Sequence, residues 1–208
     1  MPDASKQELS ARSSRKRSAI VEAAWQVFSE QGFERTSMDA IIAICGGSKA
    51  TLYHYFKSKE DLLAEAVLTR GMVLTEKAYD VLEEGRDFIE TLHLFGERYL
   101  DLYLNSDLLE VMRLAVAEGK SLKIGAVVYK EGFKKNWGKM AKYLESHIEP
   151  ARLFSGGGWT AAMQLKGLLD GEAVIRRSWG IVAGVSKKEI RTLADHAIAA
   201  FMRIYCSA

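Results

Sequence analysis

Cysteine is almost absent from this chain. Cys45 and Cys206 stand 161 positions apart with no patterning around them, so neither a disulfide framework nor a cysteine-based zinc site is implied, and a reducing compartment fits best. Proline is equally scarce, with Pro2 and Pro150 alone in 208 residues, so little interrupts a helix. No window approaches the ~18 uninterrupted apolar residues of a membrane span, and the polar N-terminus lacks the apolar stretch of a secretory signal. The expectation is a soluble cytoplasmic protein with no membrane partner. An excess of one charge is missing as well: 29 basic residues face 27 acidic ones, net +2, so attraction to a polyanion has to be local. The histidines His54, His93, His147 and His196 sit in no pattern with a nucleophile, a carboxylate pair or a metal-ligand spacing. An enzyme, a metal site and a cofactor are therefore not expected.

What is present is helical patterning from end to end, with an apolar fraction of 48% that suffices for a substantial core. The densest information lies in TSMDAIIAICGGSKATLYHYFKSK, residues 36–59. Thr36 can cap a helix starting near Ser37, with Asp39 reaching back three residues to the cap. Met38, Ile41, Ile42 and Cys45 recur at offsets of three, four and seven, one buried stripe. Gly46-Gly47 ends that helix, and Ser48 caps a second, Lys49 to Tyr55, too short to stand without the packing of Leu52 and Phe56. Its remaining surface offers the ammonium of Lys49, the hydroxyl of Thr51, the phenol of Tyr53 and the imidazole of His54, groups that meet phosphates and base edges in a major groove. Ser58 caps the next helix, and Lys59 at its start opposes the helix dipole unless a phosphate compensates it. Between Gly46 and Lys59 there are three lysines and no acid. Taken singly, His54 reads as an ordinary surface histidine and Phe56 as core; only the ensemble points to DNA.

The order of caps, glycine turn, S-K-x-T-L-Y-H-Y-F and K-S-K-E, from about Ser14 to Val67, resembles the DNA-binding domain of the Tet repressor family. The resemblance implies phosphate contacts from Thr36 and Ser37, a recognition surface of Ser48, Lys49, Ala50, Thr51, Tyr53, His54 and Tyr55, and a phosphate held by Lys59. Gly47 and Cys45 depart from the valine and alanine common in the family, changes that loosen packing and remove no contact. The stretch from Arg113 through GAVVYKEGFKKNWGKMAKYLES to LKGLLDGEAVIRRSWG is similar to the AefR-like C-terminal domain of some members.

The fold expected is all-α: a basic flexible arm at 1–13, a three-helix helix-turn-helix domain at 14–60, and a helical ligand-binding and dimerisation bundle at 61–208. The arm and its flank carry Lys6, Arg12, Arg15, Lys16 and Arg17 against Asp3 and Glu8, and read equally as a solvated, disordered tail or as an arm laid along DNA. A helix runs from Ser14 to Gln31, with Ile20, Ala23, Ala24, Val27 and Phe28 inward. A long one runs from Glu60 to Glu84, and others cover 87–104, 107–118, 128–147, 159–179 and 187–206, with the largest loop at Pro150 and Ser155 to Gly158. Phe95, Tyr99, Tyr103, Met112, Phe133, Trp137, Met140 and Tyr143 are rich enough in rings and sulfur to line a pocket for an apolar or aromatic effector, though each one singly reads as bundle core. The last two helices carry more apolar surface than one side needs, with Ala161, Ala162, Gly167, Gly171, Ala197 and Ala200 permitting close approach, the pattern of a four-helix homodimer interface. Double-stranded operator DNA, a small-molecule effector and a second copy of the chain are the expected partners, in a dimeric repressor released from a palindromic operator by its ligand. A ligand-independent DNA-binding protein is the competing reading.

Overall fold

The computed structural model describes residues 4–119 and 124–206, with side chains from residue 11 onward. It is helical, with no strand among the described residues. The helices are α1 (Ala4–Gln31), α2 (Met38–Cys45), α3 (Lys49–Tyr55), α4 (Lys59–Tyr79), α5 (Phe88–Asn105), α6 (Leu108–Gly119), α7 (Ile124–Val127), α8 (Lys135–His147), α9 (Gly157–Ser178) and α10 (Lys187–Tyr205). They fall into two compact units, Met1–Arg70 with Glu110–Val128, and Gly71–Leu109 with Tyr129–Ala208. The division lies within α4, ten residues beyond the boundary expected at 60.

In the first unit, Ile20, Ala23, Ala24, Val27 and Phe28 of α1 are buried, together with Ile41 of α2, Leu52 of α3, Phe56, and Leu62 and Leu63 of α4. These are the stripes expected from periodicity, except that Ile42 and Cys45 of α2 are only half-buried. α1 begins ten residues earlier than expected, at Ala4. Between Ala4 and Ser14 there is no glycine or proline, so nothing in that stretch stops the helix from propagating toward the N-terminus. The arm is thus helical from Ala4, while the side chains of Lys6 and Glu8, and all of Asp3, lie outside the described residues.

The second unit is built on α5, α8, α9 and α10. Leu92, Phe95, Tyr99 and Leu100 of α5, Trp137, Met140 and Leu144 of α8, Leu165 and Leu169 of α9, and Ile190, Ala194, Ile198 and Phe201 of α10 form its core. Three differences from expectation have local causes. The last turn of the long helix tightens to 3₁₀ over Asp80–Glu83 before Gly85, as helix ends commonly do. The expected helix at 128–147 starts as a seven-residue π-helix, Val128–Lys134, and becomes α only at Lys135. Gly157 and Gly158 belong to α9 and not to a loop. Gly158 is buried so tightly that a Cβ there would overlap Ala141 O and Glu145 Cγ of α8, so glycine lets α8 and α9 approach.

The small residues expected between protomers divide. Ala161, Ala162 and Ala197 are buried inside the chain, a correction that follows from helix register, whereas Gly167 and Gly171 are exposed and Ala200 is half-buried. Ile175, Trp179 and Ile204 leave 49%, 77% and 47% of their surface uncovered.

Candidate nucleic-acid interface

The geometry of the α2–turn–α3 segment rests on its caps. Ser37, not Thr36, caps α2, its Oγ accepting from Ala40 N at 3.1 Å. Thr36 is 3% exposed and its hydroxyl donates to Gly32 O at 2.7 Å. It closes the turn after α1 from within, and that hydroxyl is not presented to a phosphate. Asp39 does not reach back to the cap either; it accepts from Lys49 Nζ at 2.9 Å, joining α2 to α3 and holding the lysine's pKa above its usual value. Gly46 and Gly47 turn the chain at φ of 66° and 107°, a region open to glycine, which gives Gly47 a conformational role where a loosening of packing was expected. Lys16 Nζ donates to Cys45 O at 3.0 Å and Gly46 O at 2.8 Å, placing a cation on the orphan carbonyls at the end of α2. Ser48 Oγ accepts from Thr51 N at 3.1 Å, so α3 starts and ends where the sequence placed it.

With Leu52 and Phe56 buried, α3 has one face to the core and one to solvent. Ser37, Ser48, Lys49, Ala50, Tyr53 and His54 are exposed, Thr51 and Tyr55 half-buried. Tyr55 turns toward α1, its hydroxyl 3.2 Å from Ser13 Oγ and its ring edge-on to His54. Lys59 is tied inward: its ammonium donates to Phe33 O at 2.8 Å and Thr36 O at 3.0 Å and lies 4.2 Å from the Phe33 ring centre. Two of its three protons are used within the unit. Beside Tyr55 a groove of about 690 Å³ runs along α1, lined by Arg12, Ser13, Arg15, Lys16 and Ala19. Arg12 and Arg15 thus border the recognition helix, a placement that follows only once the arm is seen as helix: residues 12, 15, 16 and 19 share a face at helical spacing.

In the second unit, most of the expected effector residues come together. The Trp137 ring lies 5.8 Å from Phe95, 5.4 Å from Tyr99, 6.0 Å from Tyr79 and 6.5 Å from Phe133, and Tyr99 lies 4.6 Å from Tyr103. Phe95, Trp137 and Met140 are wholly buried, Tyr103 and Phe133 half-buried. Tyr143 makes its ring contacts with Phe88 and His147, and its buried hydroxyl has no partner among the described residues. Met112 lies on α6, in the segment that packs with the first unit. A cleft of about 460 Å³ also lies in this unit, between Lys77, Asp80, Glu84, Arg98 and Asp101; none of the expected effector residues lines it.

Against known proteins, residues 20–66 match the model for bacterial regulatory proteins of the tetR family, and residues 90–207 match the AefR-like transcriptional repressor C-terminal domain. The chain belongs to the tetR family. This family consists of non-enzymatic DNA-binding transcriptional regulators. The match to the HTH-type transcriptional regulator UidR of Escherichia coli is 48% identical over 93 residues, 40% of this chain and 47% of UidR. The chain spans between about half and two thirds of the first curated relatives it matches. Among solved structures, a TetR-family regulator from Mesorhizobium loti superposes with a TM-score of 0.79 at 27% identity, covering 93% of this chain and 98% of the other. The flavonoid-responsive regulator FrrA gives 0.77 at 30% identity, covering 92% and 97%.

In this tetR-family regulator, sequence reasoning missed two residues that complete the aromatic cluster, Lys166 and Asp170. The Tyr99 hydroxyl donates to Asp170 Oδ1 at 2.6 Å, and Lys166 pairs with the other carboxylate oxygen. Burial pushes the Tyr79 and Tyr99 phenols well above the ordinary value of 10 and Tyr103 up to about 12, so all three are neutral donors at neutral pH. The only trace in the sequence is the i, i+4 spacing of Lys166 and Asp170, which an exposed helix face shows equally often. No helix among the described residues is long and apolar enough to cross a membrane.

Proposed function

We propose that this regulator is a dimeric repressor that binds a palindromic operator through α3 and is released by a small aromatic ligand held in the cluster around Trp137. The single observation that carries it is the exposed face of α3. Lys49, Tyr53 and His54 stand outward on a helix whose two ends are fixed by Ser48 and by the packing of Leu52 and Phe56, a rigid presentation of base- and phosphate-seeking groups. Two copies related by a two-fold axis would set their α3 helices in successive major grooves, about 34–36 Å apart. The outward apolar residues Ile175 of α9, Trp179 just beyond its end and Ile204 of α10 supply a self-complementary surface for that axis. The name of FrrA, a regulator responsive to flavonoids, supports an aromatic guest. α4 begins in the reading unit and ends in the other, so a guest that favours one orientation of that helix weakens DNA binding by its differential affinity, ~1–3 kcal/mol in typical coupling.

The test is selection from a pool of random duplexes at fixed salt, followed by sequencing of what the purified protein retains. A recovered palindrome, with tetramolecular complexes of two chains and two strands, is the expected result. Retention no better than nonspecific binding sinks the reading. A palindrome whose retention no aromatic compound relieves leaves the alternative of a ligand-independent DNA-binding protein.

A further inference from the structure

We propose that the groove along α1 beside Tyr55 grips the sugar–phosphate backbone of the operator, with Arg12 and Arg15 as the phosphate-binding residues; this rests on the proposal that α3 enters the major groove. Between Glu8 and Glu22 the sequence carries four basic residues, Arg12, Arg15, Lys16 and Arg17, and no acidic one. The structure puts these four cations to different uses. Arg17 turns to α4, pairing with Glu65 and lying 5.0 Å from the centre of the Phe56 ring. Lys16 closes on the turn after α2 through Cys45 O and Gly46 O. Arg12 and Arg15 are left exposed, with no carboxylate partner among the described side chains; Arg15 Nε reaches only Ala11 O, at 3.4 Å.

The lining of the groove suits phosphate. No acidic residue contributes to it. The two guanidinium groups offer planar, paired donors that match phosphate oxygens. The hydroxyls of Ser13 and Tyr55, 3.2 Å apart, add uncharged donors between them, and Ala19 keeps the wall low where a backbone comes close. The arginines stand three residues apart, about 4.5 Å along the helix, so each takes its own phosphate on one strand. Because α1 is helical from Ala4, both are carried by a preformed helix, and binding does not incur the ordering cost of a disordered arm.

Tyr55 fixes where that strand runs. It lies in the last turn of α3, on the flank that faces α1. A helix is about 10–12 Å across with its side chains and the major groove about 12 Å wide, so a seated helix has a sugar–phosphate strand along each flank. The strand on the Tyr55 flank meets Arg12 and Arg15. Such a contact adds affinity and fixes register without reading sequence.

The operator recovered by the random-duplex selection is titrated by fluorescence anisotropy between about 50 and 200 mM salt, beside a shuffled duplex of the same length. The proteins are the wild-type chain, Arg12→Ala/Arg15→Ala and Arg12→Lys/Arg15→Lys. Losing two phosphate contacts is expected to lower the slope of log K against log salt by roughly 1.8 and to weaken binding on the order of tenfold or more at 0.1 M salt. The loss should be equal on both duplexes, leaving their ratio unchanged, and the lysine variant should keep most of the slope because it keeps the charges. Hydroxyl-radical footprinting should show backbone protection at the edge of each half-site that the alanine variant loses. Both arginines are exposed and alanine favours helix, so the melting temperature should hold; a merely structural role would move it and leave the salt slope alone.

The proposal is overturned if the alanine variant keeps the wild-type slope, or if the ratio between duplexes collapses, which would make the arginines readers of bases. An operator bound with a slope that both proteins share removes the groove and leaves α3 as the reader. A slope carried by the arginines on duplexes of which none is preferred keeps the groove and removes the operator. A chain that binds no duplex removes both.

Discussion

The reading unit turns its polar groups outward, and the bundle turns its polar groups inward. On α3, Tyr53, His54 and Lys49 stand in solvent, and what is polar beneath them is met by backbone: Thr36 by Gly32 O, Lys59 by Phe33 O, Lys16 by Gly46 O. In the bundle, Tyr99, Tyr103, Lys166 and Asp170 are met by one another within an aromatic shell. In the first arrangement the outward Tyr53 and His54 are not what holds the helix, whereas Lys49, paired with Asp39, also ties α3 to α2. In the second, each member of a buried network is also part of the packing.

The sharpest way to break that comparison is to remove a ring from the inner side. Trp137→Ala is expected to cost about 3–5 kcal/mol in urea unfolding, the usual range for a fully buried large aromatic; a loss below about 1 kcal/mol would show that the cluster is loosely packed. Gly158→Ala comes next. Its methyl group meets Ala141 O and Glu145 with no room to spare, and an overpacking cost of about 1–3 kcal/mol should appear in the same measurement.

On the outer side, Tyr53→Ala is expected to weaken operator binding by about 1–3 kcal/mol while moving the urea midpoint by the equivalent of less than about 0.5 kcal/mol. A variant that loses both together would show that Tyr53 supports the helix. Asp39→Asn works in the opposite direction: it frees Lys49 and removes a negative charge from the face proposed to meet DNA, so operator affinity should rise a few-fold at low salt, and the gain should shrink as salt is raised.

The smallest effect at neutral pH lies with the phenols. Burial holds Tyr103 at about 12, above the 10 of an unfolded tyrosine, so the folded state resists its ionisation. That contribution to stability is complete below pH 10 and is lost as the pH rises through 12. Tyrosinate absorbance and helix content followed together over that window should change more gradually in Tyr103→Phe.

Within the reading unit almost every element could be foreseen, because its decisive contacts are local. Ser48 and Thr51 are three residues apart, and Gly46-Gly47 announces its own turn. Two expectations there differ from the structure, Thr36 for Ser37 as cap and Asp39 as a cap partner; these are choices between adjacent hydroxyls and between a backbone N–H and the ammonium of Lys49. In the bundle the helices were legible and their partnerships were not. Tyr99 meets Asp170 across 71 residues and Asn105 meets Val185 across 80. The same limit hid the inward use of Ala161, Ala162 and Ala197: a small residue fits a contact between helices of one chain as well as between two.

By itself the sequence determined what depends on neighbours along the chain: the helical content, the Ser48 and Ser58 caps, the glycine turn, the amphipathic stripes and the exposed composition of α3. These follow from backbone hydrogen bonding and side-chain period, which act over three or four residues. Only the tertiary structure decided which helices share a core, that Lys59 is tied inward, that Arg12 and Arg15 border Tyr55, and that Lys166 and Asp170 complete the aromatic cluster. Those depend on helix register and on the relative rotation of elements far apart in the chain, and packing, not any local preference, sets both.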